Sequence, residues 1–141
     1  MARREATIEA GSIQSWLTGG IAWLIPGAGH LLLGKWGRAL VLGGAVWFCF
    51  LFGLSLGGHL FSVNGNEQGF SALLQIPPTV ANLGSGGLYL FCWLFHIGFA
   101  DDPGHAARPT FEYGWMFLLV AGLLNYLAML DAFDISVGRK P

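Results

Sequence analysis

The side chains best suited to chemistry in this 141-residue chain are its four histidines. His59 shares a predicted helix face with Phe48 and Phe52, and His96 follows Cys92 by one helical turn. An imidazole among aromatic side chains in a membrane helix can serve as the axial ligand of haem or chlorophyll, so His59 and His96 are the candidate cofactor-binding residues. A simpler reading weighs more: His30 and His59 lie at an interface, His96 is hydrogen-bonded inside a bundle, and no cofactor is required. No C-x-x-C, H-x-x-x-H or acidic cluster has metal-ligand spacing, so no metal site is expected. Cys49 and Cys92 fall deep in apolar runs and read as small apolar residues rather than disulfide partners.

Catalytic patterns fail on spacing. Gly84-Ser85-Gly86 lacks the glycine that precedes the serine of a nucleophile elbow by two positions, and reads as a helix start or a close contact. Gly27-Ala28-Gly29 lacks the third glycine of a dinucleotide fingerprint, and no βαβ unit surrounds it. Proton-coupled transport places an acid inside a membrane span, whereas every Asp and Glu here falls at a boundary, Asp131 and Asp134 included. No basic patch suggests a nucleic-acid partner. The chain is expected to be no enzyme.

The elements that would carry these residues follow from the charge pattern. Only 11% of the residues are charged and 54% are hydrophobic, against about 25% charged in ordinary soluble domains. Uncharged runs extend over Ala10–Gly34, Ala39–Asn66, Gln68–Ala100 and Tyr113–Leu130, so the charges mark the joints. A soluble protein charges one face of each helix; this pattern predicts a multi-pass membrane protein. The expected fold is an all-α transmembrane helical bundle forming one domain over residues 1–141. It has three firm spans, at about 39–61, 83–100 and 113–130, and a Pro/Gly-broken first span at about 13–33. Pro26-Gly27-Ala28-Gly29 interrupts that first stretch, which crosses with a kink or stops near Ile25 and re-enters. Re-entry would put the N-terminus, Lys35, Arg38 and Arg108 on one side, which satisfies the positive-inside bias better. Pro77-Pro78 should separate a short interfacial helix at about 70–76 from the next span. Ser62–Gly69 reads as a polar turn and Asp101–Thr110 as a charged loop, and no signal peptide is expected.

Small residues mark helix contacts in lipid, because no hydrophobic drive acts there. Gly43, Val46, Phe50, Gly53 and Gly57 form such a seam, with Gly44 and Gly58 off it, so Gly43, Gly53 and Gly57 are the expected packing glycines. Ser85, Tyr89, Cys92 and His96 form one polar stripe that should turn toward protein. Asn125, on a face with Gly114, Leu118 and Ala121, should meet that stripe or backbone carbonyls across a helix contact. Trp16, Trp36 and Trp115 suit span ends, and Trp47 and Trp93 suit packing or subunit contacts.

Trp23 to Gly44, WLIPGAGHLLLGKWGRALVLGG, resembles small bacterial membrane proteins related to the two-transmembrane-helix domain family. In that pattern an apolar stretch ends in a P-G-x-G-H/Q turn, followed by an aromatic-rich Y-L-G, a basic residue and a glycine. The chain keeps Pro26, Gly27, Gly29, His30, Leu33, Gly34, Lys35 and Gly37, with Leu31 and Leu32 in place of the aromatics. Asn125 to Lys140, NYLAMLDAFDISVGRK, resembles the N…D-A…A ending of such families. The resemblance implies a small integral protein of the bacterial cytoplasmic (inner) membrane, in a family mostly without assigned activity, and it transfers no catalytic residues. It also makes Pro26–Arg38 a built turn whose Lys35 and Arg38 meet phosphate headgroups.

These readings lead to a non-enzymatic accessory subunit that stabilises a larger membrane complex through helix–helix and lipid contacts. Its expected partners are other integral membrane subunits and bound lipids. One alternative is a haem- or chlorophyll-binding subunit of an electron-transfer or photosynthetic complex. Another is a small channel or lipid-handling protein, for which only the broken first stretch speaks.

Overall fold

The computed structural model describes residues 2–62, 69–99, 104, 107–139 and 141, with side chains from Ile13 onward. The polar turn expected at Ser62–Gly69 lies largely outside these residues, and so does half of the loop expected at Asp101–Thr110. Among the described residues the chain is all helical: α1 (Ala2–Leu24), α2 (Ala28–Leu32), α3 (Trp36–Ser55), α4 (Phe70–Leu83), α5 (Gly87–Phe95) and α6 (Phe111–Ser136). Two helices, α3 with 20 residues and α6 with 26, are long and apolar enough to cross a membrane. At 1.5 Å per residue they measure about 30 and 39 Å.

These two helices run antiparallel and form the frame. Arg38 lies beside Asp131 at one end, and Gly53 and Gly58 lie against Gly114 at the other. The second contact is backbone on backbone. A Cβ on Gly53 would stand 2.8 Å from Gly114 O, and one on Gly114 would stand 2.6 Å from Gly58 N. Between them Val46, Phe50, Leu118 and Ala121 form a core with Leu60, Tyr89 and Cys92.

The expected seam needs one correction. Gly57 does not pack a helix; it ends one. At φ +84° it occupies the left-handed region, its N–H donates to Leu54 O, and the Gly58 N–H donates to Gly53 O. Helical phase therefore stops at Ser55, and Gly58 takes the contact that Gly57 was expected to make. Gly43 touches the Pro26-Gly27 turn, where an added Cβ would lie 2.9 Å from Pro26 O. The same stretch of α3, Ala39–Gly43, winds as a wider π-helical turn.

The first apolar stretch is a hairpin. Trp16 packs on Phe133 at 5.2 Å between ring centroids, and Trp23 O reaches Asn125, so α1 descends antiparallel to α6. The chain then reverses at Ile25–Gly27, and α2 climbs back until Gly29 meets Ala132 and His30 meets Asp131. The turn thus reaches only about six α6 residues, or 9 Å, beyond Asp131 before returning. Of the two geometries open for Ile13–Leu33, the helix stops near Ile25 and the chain folds back, but Arg108 does not join Lys35 and Arg38 as re-entry was expected to place it: it lies against Gly57, at the other end of α3.

The span expected at 83–100 is helical only over Gly87–Phe95, and the helix before it is longer than expected. The helix does not stop at Pro77-Pro78; α4 continues through both prolines to Leu83, with Thr79 donating to Gln75 O at 2.7 Å. It breaks instead at Gly84-Ser85-Gly86, where Gly86 has φ +60°. From there α5 runs 9 residues, about 14 Å, to the Gly114 end, where Gly98 O accepts from Leu60 N. Among the described residues there are accordingly two helices long and apolar enough to cross, and no third firm span.

Close backbone contact sets the effect of added methyl groups. Gly44 has nothing within 4 Å of an added Cβ, whereas Gly114 has backbone atoms inside 3 Å. Thermal unfolding in detergent should show Gly44→Ala neutral or stabilising by up to about 1 kcal/mol. Gly114→Ala should destabilise by about 1–3 kcal/mol.

Candidate functional site

A helix leaves its last four carbonyls without partners inside the helix. Three of the ends here close by themselves, through backbone bonds from Gly58 to Gly53, Ile97 to Cys92 and Arg139 to Asp134. At the end of α4 backbone bonds from Gly84, Ser85 and Gly86 close on Ala81, Asn82 and Leu83, which leaves Gly84 O to a side chain, and at the end of α1 Trp23 O is left likewise. Both helices end beside Asn125, which is fully buried halfway along α6. Its amide nitrogen donates to Trp23 O at 2.9 Å and to Gly84 O at 2.8 Å. Around that amide, Trp23 Nε1 donates to Leu83 O at 3.2 Å and the Tyr126 hydroxyl donates to Val80 O at 3.0 Å. The start of α5 joins the same point: side chains on Gly86 or Gly87 would collide with Trp23 O or Leu24 O. One primary amide thus ties the C-terminal ends of two helices to the middle of a third.

The same junction holds polar atoms without hydrogen-bond partners. Asn82 and Ser85 are fully buried, and neither Asn82 amide atom nor Ser85 Oγ is bonded; Asn125 Oδ1 is likewise unpaired. Sequence reading singled out Ser85 and Asn125 but missed Asn82. The signal it left is an amide two residues before a Gly-Ser-Gly break.

A second polar centre lies at the other end of the hairpin. His30 is fully buried, and its Nε2 stands 3.1 Å from Asp131 Oδ2. A carboxylate only accepts, so this nitrogen carries the proton. Arg38 Nη1 approaches the same oxygen at 3.5 Å, with its side chain 44% exposed. Lys35 lies at the head of α3, and its backbone N–H donates to His30 O at 2.8 Å. His30 is therefore buried against the bundle and paired with Asp131. The two segments that carry the family resemblance, Pro26–Arg38 and Asn125–Lys140, meet at this ion pair.

Of the expected polar stripe, Ser85, Tyr89 and Cys92 are buried and face protein, with the Tyr89 hydroxyl donating to Phe61 O at 2.9 Å. His96 departs from it. It follows the end of α5, is exposed, and adopts the left-handed conformation at φ 55°. His59 also lies beyond its helix, with its ring edge against Phe61, while Phe48 stacks on Phe52 without it. Neither histidine lines the apolar recess of about 550 Å³ bounded by Leu24, Trp47, Phe50, Leu54, Phe91 and Cys92. Among the described residues no group of three His, Cys, Asp or Glu could hold a metal ion.

Three substitutions separate these roles. Asn125→Leu leaves two buried carbonyls unpaired and should lower stability by about 2–5 kcal/mol in a detergent melt. Asn125→Asp at neutral pH should do no better, since a carboxylate has no donor for either carbonyl. His96→Gly should raise stability by about 0.5–1 kcal/mol, because glycine adopts the left-handed conformation without strain. A loss on His96→Gly would mean that the imidazole itself holds something.

No curated protein and no solved structure matches the chain. A family model does, over residues 17–141, and that range includes the junction at Asn125 and the His30–Asp131–Arg38 cluster. The chain belongs to the family of unknown function DUF6677.

Proposed function

We propose that the chain is a multi-pass protein of the cytoplasmic membrane that works without catalysis, as an accessory subunit stabilising a larger membrane assembly. The frame suits a bilayer, with α3 and α6 crossing in full. The bundled part of α1, Trp16–Leu24, and α5 meet end to end as a discontinuous crossing of 9 residues each, about 27 Å together. Backbone that is not helical at that depth needs internal partners, and Asn125, Trp23 and Tyr126 supply them. The Asn125, Trp23 and Tyr126 donors at the junction hold helix ends together, which leaves packing as the work of the outer surface.

The observation that carries the subunit reading is the apolar recess between the tip of α1, α3 and α5. The chain leaves it open, with Trp47 and Phe91 on its rim more than a third exposed. Apolar side chains of a neighbouring subunit would fill it, and aromatic anchors of this kind dominate contact energies. Trp93 adds a second outward indole on α5.

Gentle extraction followed by mass spectrometry of co-purifying proteins tests the proposal. A stoichiometric integral-membrane partner is expected, and Trp47→Ala should weaken its retention. A stable lone monomer would contradict the reading. A visible spectrum of the same sample should lack Soret and chlorin bands; a band lost on His59→Ala or His96→Ala would instead favour the tetrapyrrole-binding alternative.

A further inference from the structure

A groove of about 900 Å³ runs between α3 and α6 at the Asp131 end, with two kinds of wall. At its head stand Arg38 and Asp131; along its length stand Val41, Leu42, Leu124 and Leu127. A trough with an ionic head and an apolar body matches an amphiphile in both parts. We propose that it holds one acyl chain of an anionic phospholipid, with the lipid phosphate on Arg38. This deepens the membrane-embedded reading above and rests on it.

The charges favour an anion. Asp131 Oδ2 has its shorter contact with the buried His30 Nε2, 3.1 Å against 3.5 Å to Arg38 Nη1. The guanidinium is a fork of five donors that fits phosphate oxygens in pairs, and the Asp131 contact engages one of its nitrogens. Lys35 precedes Arg38 by three residues, the helical spacing of neighbours, and is exposed. Lys35 stands outside the groove lining, one turn before Arg38 at the start of α3; with Asp131 offsetting Arg38, it adds a positive charge near the groove head, which a zwitterionic headgroup cannot neutralise. In a bilayer some acyl chain fills any apolar trough; the cations at its head select which lipid supplies it. Val41 and Leu42 lie in the π-helical turn immediately after Arg38, so the head and the first part of the trough share one piece of backbone.

Native mass spectrometry of the purified full-length chain in non-ionic detergent, with equal phosphatidylglycerol and phosphatidylcholine of the same chains, tests the site. One phosphatidylglycerol should survive collision energies that strip phosphatidylcholine, and Arg38→Gln should lower its occupancy at least tenfold. Val41→Trp and Leu127→Trp, both at exposed positions, should also displace the lipid while leaving the melting temperature unchanged. Retention by Arg38→Gln, equal retention of phosphatidylcholine, or full occupancy in both Trp variants would overturn the proposal. So would displacement by glycerol phosphate at the lipid's own concentration, which would make this a site for free phosphate. A lone monomer that still selects phosphatidylglycerol removes the subunit reading and leaves the groove standing. A chain recovered in the soluble fraction removes the membrane reading beneath both.

Discussion

The structure depends on one constraint, that a helix ending inside an apolar layer leaves carbonyls which must be satisfied there. Two helices of this chain end beside the buried Asn125, whose amide satisfies a carbonyl of each end, Trp23 O and Gly84 O. Its two N–H groups are matched in number to those two carbonyls, which neither a hydroxyl nor a carboxylate can do. Glycines allow the approach: Gly122 lies against Ala81 O, and Gly86 against Trp23 O, at separations no side chain would permit. The junction therefore works as a unit, and the long helix α6 serves as the post to which the broken elements are tied.

From that post the rest of the architecture follows in two directions. Toward one end, the hairpin of α1 and α2 is pinned by His30 on Asp131 and by Trp16 on Phe133. Toward the other, α5 fills out the core through Tyr89 and Cys92 and closes on Leu60 by way of Gly98. The polar side chains of these contacts point inward and engage backbone or one another. The outward surface is correspondingly apolar, with Leu40 at 80% exposure and Trp36 at 73%. That division supports a protein whose work is contact, made through an open apolar recess on one flank and a charged groove head at one end.

How much of this was legible depended on whether a signal was local. The absence of charge within the runs gave the helical class directly, and an amide inside an apolar run had to turn toward backbone or a polar stripe, which is where Asn125 sits. Gly84-Ser85-Gly86 was readable as a helix start, and α5 does begin at Gly87. The failures were of two kinds. Helical phase was carried past real ends, so that Gly57, His59 and His96 were assigned to faces of helices that stop at Ser55 and Phe95. Pairings distant in sequence carried no local mark either: His30 and Asp131 lie 101 positions apart, and each alone looked like an interfacial residue. Of the prolines, Pro26 marked a real turn, whereas the chain stays helical through Pro77-Pro78.

The central claim is that the first apolar stretch enters and leaves on one side, tethered at its tip by Asn125. Side-specific thiol labelling in sealed vesicles measures this directly, using Gln14→Cys, Lys35→Cys and Thr110→Cys on a Cys49→Ala/Cys92→Ala background, all three at exposed positions. Cysteines at positions 14 and 35 should label from the same face of the membrane, and the cysteine at position 110 from the opposite face. Labelling of positions 14 and 35 from opposite faces would mean that the stretch crosses in full, and would contradict the account.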